Sequence, residues 1–364
     1  MKNVPQLRFA GFEGEWEEKK LSDLVKINSG KDYKHLEDGL YPVYGTGGLM
    51  THVNEFLSEH DSIGIGRKGT INRPMILKAP FWTVDTLFFA TPNKDCNLYY
   101  IFGVFQRINW LKYDESTGLP SLSKSNINNI RVTETSIEEQ EKIGELFRKI
   151  DALIEKQEGK VSKLEDFKKS MLQKIFPKKG ELIPEFRFSG FDGEWNLFKL
   201  NELQKMKVYQ PQTITSEDLI DGGKFRVFGA NDYIGYYNDY NHEKSQVTIC
   251  CRGASVGNVN YVEPYTWITG NSMVLNVDEN DKINKNYLYY YLKNTRLDRF
   301  ITGSGQPQIT REGLSLLEIK LTDLEEQQKI GQFFKNLDTQ IKTEEKLLVS
   351  YKQMKKSLLQ KMFV

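Results

Sequence analysis

Cysteine and histidine are scarce here. Three cysteines and four histidines serve all 364 residues. His35, His52, His60 and His242 fall at no metal-ligand spacing, and no Cys-x-x-Cys pair exists, so no metal site is expected. Cys250 and Cys251 are adjacent in a predicted strand, where a mutual bridge would be strained; with Cys96 they read as reduced thiols of a cytoplasmic protein. No apolar run approaches the ~18–20 residues needed to cross a bilayer. The opening residues Met1 to Gln6 have no apolar core behind Lys2, so no export signal is expected. Charge of one sign is also lacking. Fifty Lys and Arg against 49 Asp and Glu leave +1, which counts against an autonomous, tight binder of nucleic acid, because phosphate contacts usually supply that affinity.

Catalytic motifs are missing as well. Neither a nucleophile elbow nor a phosphate-binding loop is expected, and there is no Asn/Asp-Pro-Pro-aromatic tetrapeptide. Gly64-x-Gly66-x-x-Gly69 spells a dinucleotide pattern, but Asn72-Arg73-Pro74 follows at once and allows no helix to hold a pyrophosphate. Turns between strands are the reading it supports. Glu138, Glu139 and Glu141 lie at a predicted helix start and are assigned to the helix dipole. No intrinsic active site is expected.

What the chain does contain is itself, twice. Val4-Pro-Gln-Leu-Arg-Phe-Ala-Gly-Phe-Glu-Gly-Glu-Trp16 returns as Ile183-Pro-Glu-Phe-Arg-Phe-Ser-Gly-Phe-Asp-Gly-Glu-Trp195. Gln140, Ile143, Gly144, Phe147 and Asp151 return as Gln327, Ile330, Gly331, Phe334 and Asp338, and Lys169–Lys174 returns as Lys356–Lys361. Between these blocks agreement is sparse: Tyr44-Gly45 with Phe228-Gly229, Arg67 with Arg252, Trp82 with Trp267, Gly118-x-Pro120 with Gly305-x-Pro307. Two long copies argue against a solenoid, which needs at least three short repeats. The segments expected are a globular domain over 1–135, a long helix over 136–177, a second domain over 178–322 and a second helix over 323–364.

The helices are read from spacing. Ser136 with Glu139 is a capping-box pattern and Pro177 a stop. Ile143, Phe147, Ile150, Ile154 and Leu164 fall at heptad positions, as do Ile330, Phe334, Leu337, Ile341 and Leu348. A 3.5-residue period held over five heptads predicts a coiled-coil seam, the alternative being an ordinary amphipathic helix on a core. Gln157 and Lys168 interrupt it where Glu344 and Lys355 do, and polar seam residues commonly fix register. The globular halves read as α+β, with short strands, Gly and Asn turns, and one aromatic-rich helix each.

Polar, Gly-rich turns remain as candidate sites. Base edges are read by Arg or Lys at guanine and by Asn or Gln at adenine, while hydroxyls and backbone amides hold phosphates. On that chemistry the candidates are Tyr44, Thr46, Arg67, Lys68, Thr70 and Asn72 in the first half. In the second they are Asn231, Asp232, Arg252, Ser255, Asn258, Gln306 and Gln308. Arg67 and Arg252 could equally anchor a loop inside each domain.

Glu139-Gln140-x-x-Ile143 with Phe147 and Asp151, its copy Glu326-Gln327-x-x-Ile330 with Phe334 and Asp338, and the Lys-Ser-hydrophobic-Leu-Gln-Lys endings carry a resemblance. With Trp16, Leu21, Trp195 and Leu200 they make the chain resemble the specificity subunit of type I restriction–modification enzymes along essentially its whole length. The resemblance implies two target-recognition domains separated by two long antiparallel helices forming a coiled coil, with pseudo-two-fold symmetry. Each domain would read one half of a bipartite, asymmetric site on double-stranded DNA, and the helices would set the spacer. It implies as partners two methyltransferase (modification) subunits and restriction/translocase subunits. S-adenosylmethionine, ATP and Mg would sit on those partners and none on this chain. A near-neutral reader would then borrow electrostatic attraction from its partners. The alternative reading is a coiled-coil scaffold with protein- or glycan-binding heads, for which Tyr236-Tyr237-Asn238-Asp239-Tyr240 would suit stacking. The repeat also predicts that residues 4–16 lie near the end of the second long helix.

Overall fold

The structure, a computed structural model, describes residues 3–303 and 305–364; Met1, Lys2 and Ser304 lie outside the described residues. The chain forms two compact units. The first holds residues 1–159 and 345–364, the second residues 160–344. Each long helix therefore gives one part to each unit.

In the first unit, strands Val25–Ser29, Leu87–Pro92, Ser62–Gly66 and Met75–Leu77 form an antiparallel sheet in that order. Asp38–Gly45 pairs antiparallel with Gly48–Val53 and parallel with Trp82–Thr83 in a second sheet. A ribbon joins Glu17–Lys20 to Arg131–Glu134. The second unit repeats this plan. Lys207–Tyr209, Ser272–Asn276, Gln246–Cys250 and Val259–Val262 make its four-stranded sheet, and Phe225–Phe228 lies between Tyr233–Tyr237 and Thr266–Ile268. Asn196–Lys199 and Glu318–Leu321 form its ribbon. The central strands Ser62–Gly66 and Gln246–Cys250 are buried at every position, which is why they read as unbroken runs rather than alternating ones.

The long helices run Ile137–Ile175 and Leu324–Met362. Within the first unit their parts lie antiparallel, because Asp151 pairs with Lys355 at 2.5 Å and Glu158 with Lys352 at 2.6 Å. Within the second, Lys160 pairs with Glu344 at 2.6 Å and Lys168 with Asp338. Lys168 and Lys355, the polar interruptions, thus meet the equivalent aspartates Asp338 and Asp151. Ile143, Phe147 and Ile150 are buried, as are Ile330, Phe334, Leu337 and Ile341; Ile154, Leu164 and Leu348 are half-buried. Ile143 and Phe147 face the globular core of their unit, and Ile330 and Phe334 that of theirs.

The capping box is only half formed. The Ser136 hydroxyl accepts from the Glu139 amide at 3.4 Å, but the Glu139 carboxylate takes Arg8 and the Thr135 hydroxyl instead of the Ser136 amide. Nε and Nη2 of Arg8 reach its two oxygens at 2.8 Å each, and Nη1 donates to the Gly14 carbonyl. Arg187 binds Glu326 the same way, at 2.9 and 2.8 Å. The next residue is equally occupied. The Gln140 side-chain oxygen accepts the Asn97 amide at 3.0 Å, and that of Gln327 the Asn284 amide at 3.0 Å. Asn97 and Asn284 cap the aromatic helices Leu98–Arg107 and Lys285–Lys293. Gly144 and Gly331 leave room for those caps, since a Cβ on Gly331 would lie 2.9 Å from Asn284 Oδ1 and one on Gly144 closer still to Asn97 Oδ1. The repeated Glu-Gln-x-x-Ile-Gly block is therefore a joint, in which the helix start clamps the lead-in segment and the aromatic helix together.

The lead-in also meets the helix ends. The Leu7 amide donates to the Lys361 carbonyl and the Phe186 amide to that of Lys174, both at 2.9 Å. Phe363 packs against Trp16, Tyr100 and Phe147, as Phe176 packs against Trp195, Tyr287 and Phe334. Residues 4–16 thus lie at the end of the second long helix, as the repeat predicts.

Candidate nucleic-acid interface

The turns singled out by composition converge in each unit. In the first, the Val84 amide donates to the Tyr44 carbonyl at 3.0 Å, and two residues on the Thr86 carbonyl accepts from Arg67 at 2.8 Å. Lys68 then forms an isolated bridge with Ser121, held by Gly69 N–H to Pro120 O at 2.8 Å and Leu122 N–H to Arg67 O at 2.9 Å. Segments 44–48, 66–72 and 114–121 are thereby tied through one short stretch of backbone. The second unit makes the same ties. Thr269 donates to Phe228 O, Cys251 donates to Asn271 O, and Arg252 bridges Gln308 through Gly253 N–H to Pro307 O and Ile309 N–H to Cys251 O.

This register corrects one alignment. Arg67 does not correspond to Arg252. Counting from the paired strands, Ile63 and Gly66 match Val247 and Cys250, so Arg67 falls on Cys251 and Lys68 on Arg252. Matching the two arginines by type hid a one-residue slip. Trp82 with Trp267 does hold. Both sit on the strand parallel to the hairpin and donate their indole N–H to a carbonyl, of Lys31 at 2.9 Å and of Gln212 at 3.2 Å.

Several candidates are committed within their unit. The Arg67 guanidinium lies 5.6 Å from the Phe88 ring centre, with Lys124 at 5.9 Å from the same ring. Tyr44 packs edge-on against Phe81. The Asn231 side chain accepts from Asn260 at 3.2 Å, and the Asp232 carboxylate accepts from the Tyr233 amide at 2.7 Å. Thr46 and Ser255 are half-buried. Lys68, Thr70, Asn72, Arg252, Asn258, Gln306 and Gln308 are exposed. Among the described residues, neither Lys68 nor Arg252 makes a side-chain salt bridge.

Two supports shape the ridge. Asp114 accepts from the Ser116 and Ser121 amides and the Ser116 hydroxyl at 2.8–3.0 Å. These donors hold its carboxyl below the usual range, so it stays ionised and closes the loop. Gly66 is required because a Cβ there would collide with the Thr70 carbonyl. Sequence reasoning passed over Leu119, which stands 67% exposed at the tip of this loop. The available signal was the unlike residue held between the repeated glycine and proline.

Gly253-Ala254-Ser255-Val256-Gly257 does spell a nucleophile-elbow pattern, contrary to expectation. It lies between strands Gln246–Cys250 and Val259–Val262, however, where an elbow needs a strand followed by a helix. Among the described residues, no three His, Cys, Asp or Glu side chains group as metal ligands, and no helix is long and apolar enough to cross a membrane. His242 is buried, with Nε2 2.9 Å from the Tyr209 hydroxyl and Nδ1 2.6 Å from Asn241 Oδ1. Burial pushes its pKa down to about 4, so it is a neutral core residue. The tyrosine-rich loop is likewise filled from within: Tyr237 packs on Trp267, and Tyr240 on Phe225 and Tyr265.

The chain is thus built of two mixed α+β units that carry the same bridged ridge. Residues 13–166 and 192–351 match the type I restriction modification DNA specificity domain, and the chain belongs to that family. It is 21% identical over 398 residues to the type I restriction enzyme MjaVIII specificity subunit of Methanocaldococcus jannaschii, covering 95% of this chain and 91% of that one. Its fold is similar to that of the S subunit of a type I restriction-modification system from M. genitalium, with a TM-score of 0.77, 17% identity and 99% of each chain covered. A chain of a type I R-M system solved for its complex assembly and conformational transition is similar at a TM-score of 0.50, with 15% identity over 95% of this chain and 97% of that one.

Proposed function

We propose that this chain is the non-catalytic sequence-reading subunit of a type I restriction–modification complex. Each unit reads one half of a bipartite, asymmetric site on double-stranded DNA. The observation that carries this reading is the bridged ridge, built by the same backbone bonds in both units yet bearing Lys68 and Leu119 in one and Arg252 and Gln306 in the other. A common frame with unlike readers is what two different half-sites require. In this reading residues 1–135 and 178–322 are the recognition domains, and 136–177 and 323–364 form an antiparallel coiled coil that sets the unread spacer, with pseudo-two-fold symmetry. The helices also dock two modification subunits; exposed Leu153, Leu347, Val349 and Met354 support that role. S-adenosylmethionine, ATP and Mg belong to those subunits and to the restriction/translocase subunits, in the cytoplasm.

Co-expression with candidate modification subunits, followed by single-molecule mapping of adenine methylation across the genome, tests this. A bipartite asymmetric motif that appears only with this chain is expected. A stably assembled complex that methylates no such motif refutes it.

A further inference from the structure

The bridges that align Lys68 with Arg252 also align the loops opposite them. Pro120 and Pro307 each accept from the glycine after or beside the cation, and Ser121 and Gln308 are the bridge partners. Leu119 therefore occupies in the first unit the position that Gln306 occupies in the second. Both are exposed, directly before the proline that receives the bridging hydrogen bond. Their neighbours on the rim are held: Arg67 by Phe88, Asn231 by Asn260, Asp232 by its own turn. Among the described residues, Lys68 and Leu119 project uncommitted on one ridge and Arg252, Gln306 and Gln308 on the other, with Thr70, Asn72 and Asn258 exposed in the adjoining turns.

Resting on the reading above, we propose that this single position, Leu119 or Gln306, is a base-reading residue whose exchange makes the two half-sites differ. Gln306 has the donor and acceptor that pair with the N7 and N6 edge of adenine, beside an Arg252 suited to guanine. Leu119 has neither and offers methyl groups, which match the C5-methyl of thymine beside a Lys68 suited to guanine. The frame is fixed by backbone bonds, so changing the side chain changes the reader without moving the ridge.

The test is methylation mapping with the full chain and its modification subunits, for wild type, Leu119→Gln, Gln306→Leu and Gln306→Glu. Each substitution is expected to change one position of one half-site and leave the other half intact. Gln306→Leu should lose roughly tenfold or more in preference for adenine at that position, and Gln306→Glu should shift it toward cytosine, whose N4 donates. A wild-type motif that all three variants methylate unchanged overturns the inference alone. A wild-type complex with no bipartite motif overturns the reading beneath it, and the inference with it.

Discussion

Arg8 and Glu139 lie 131 residues apart, yet their side chains are 14% and 0% exposed. Two charge-assisted bonds of 2.8 Å join them, and the third guanidinium nitrogen holds the Gly14 carbonyl. Replacing Arg8 by Met removes all three donors but leaves Glu139 in its site, with Thr135 as its remaining partner. Breaking a buried pair from one side costs about 3–5 kcal/mol, because the surviving charge has no water to return to. A domain has only ~5–15 kcal/mol in all, so this one change consumes a large fraction of it. Glu139→Leu strands the guanidinium in the same way. The double variant R8M/E139L leaves no orphan charge, and apolar replacements of buried pairs are often neutral. It should therefore be more stable than either single variant.

Urea unfolding of the four proteins, followed by the fluorescence of the five tryptophans, measures the cycle. Losses of about 3 kcal/mol or more for each single change, with recovery in the double, are expected. Single losses below ~1 kcal/mol, or a double variant as weak as the sum of the singles, would refute the claim that the pair clamps the lead-in to the helix.

Gly144→Ala and Gly159→Ala should have opposite signs. A Cβ on Gly144 would press on Asn97, whose side chain caps the aromatic helix, costing about 1–3 kcal/mol from overpacking, whereas nothing lies within 4 Å of one on Gly159 and alanine there should gain up to ~1 kcal/mol; thermal unfolding decides. His242, with its pKa lowered from 6.5 to about 4, has its stabilising effect in full above pH 6.5. That effect declines as pH falls toward 4, by at most ~1.4 kcal/mol per unit, because only the unfolded chain then takes up the proton. A pH series on wild type and His242→Gln checks this, and equal slopes between pH 6.5 and 4 would contradict it.

The parts of this protein that repeat were the parts legible in its sequence. Trp16 and Trp195, Gln140 and Gln327, and Phe147 and Phe334 recur because each closes the same joint, and packing tolerates few side chains where almost no surface is exposed. The long helices declared themselves by period. Their starts were less readable: Ser136 and Glu139 spell a capping box, but the carboxylate serves an arginine from the other end of the domain, a contact no local pattern encodes. Likewise the Lys68–Arg252 equivalence was invisible to residue matching, since it is set by strand register rather than by side-chain type. The uncommitted ridge residues could not be separated from the committed ones by composition. Arg67 and Lys68 look alike until Phe88 is seen under one of them.

On the proposed reading, that separation lets one frame serve two different targets. The ridge is fixed by main-chain hydrogen bonds, a carboxylate at Asp114, and glycine where a side chain would collide, none of which specifies what Lys68, Leu119 or Ser121 must be. The second unit reaches the same bridge with a two-stranded ribbon, Ile301–Thr302 with Gln308–Ile309, in place of the Asp114-closed loop. Two different supports converging on one bridge imply that the bridge is what must be preserved. The residues projecting from it are then free to vary at little cost in stability, since exposed substitutions away from caps and buried pairs usually change it by no more than about 0.5 kcal/mol. On the proposed reading, recognition can therefore drift in one half while folding, and the joint at Glu139 and Glu326, stay as they are.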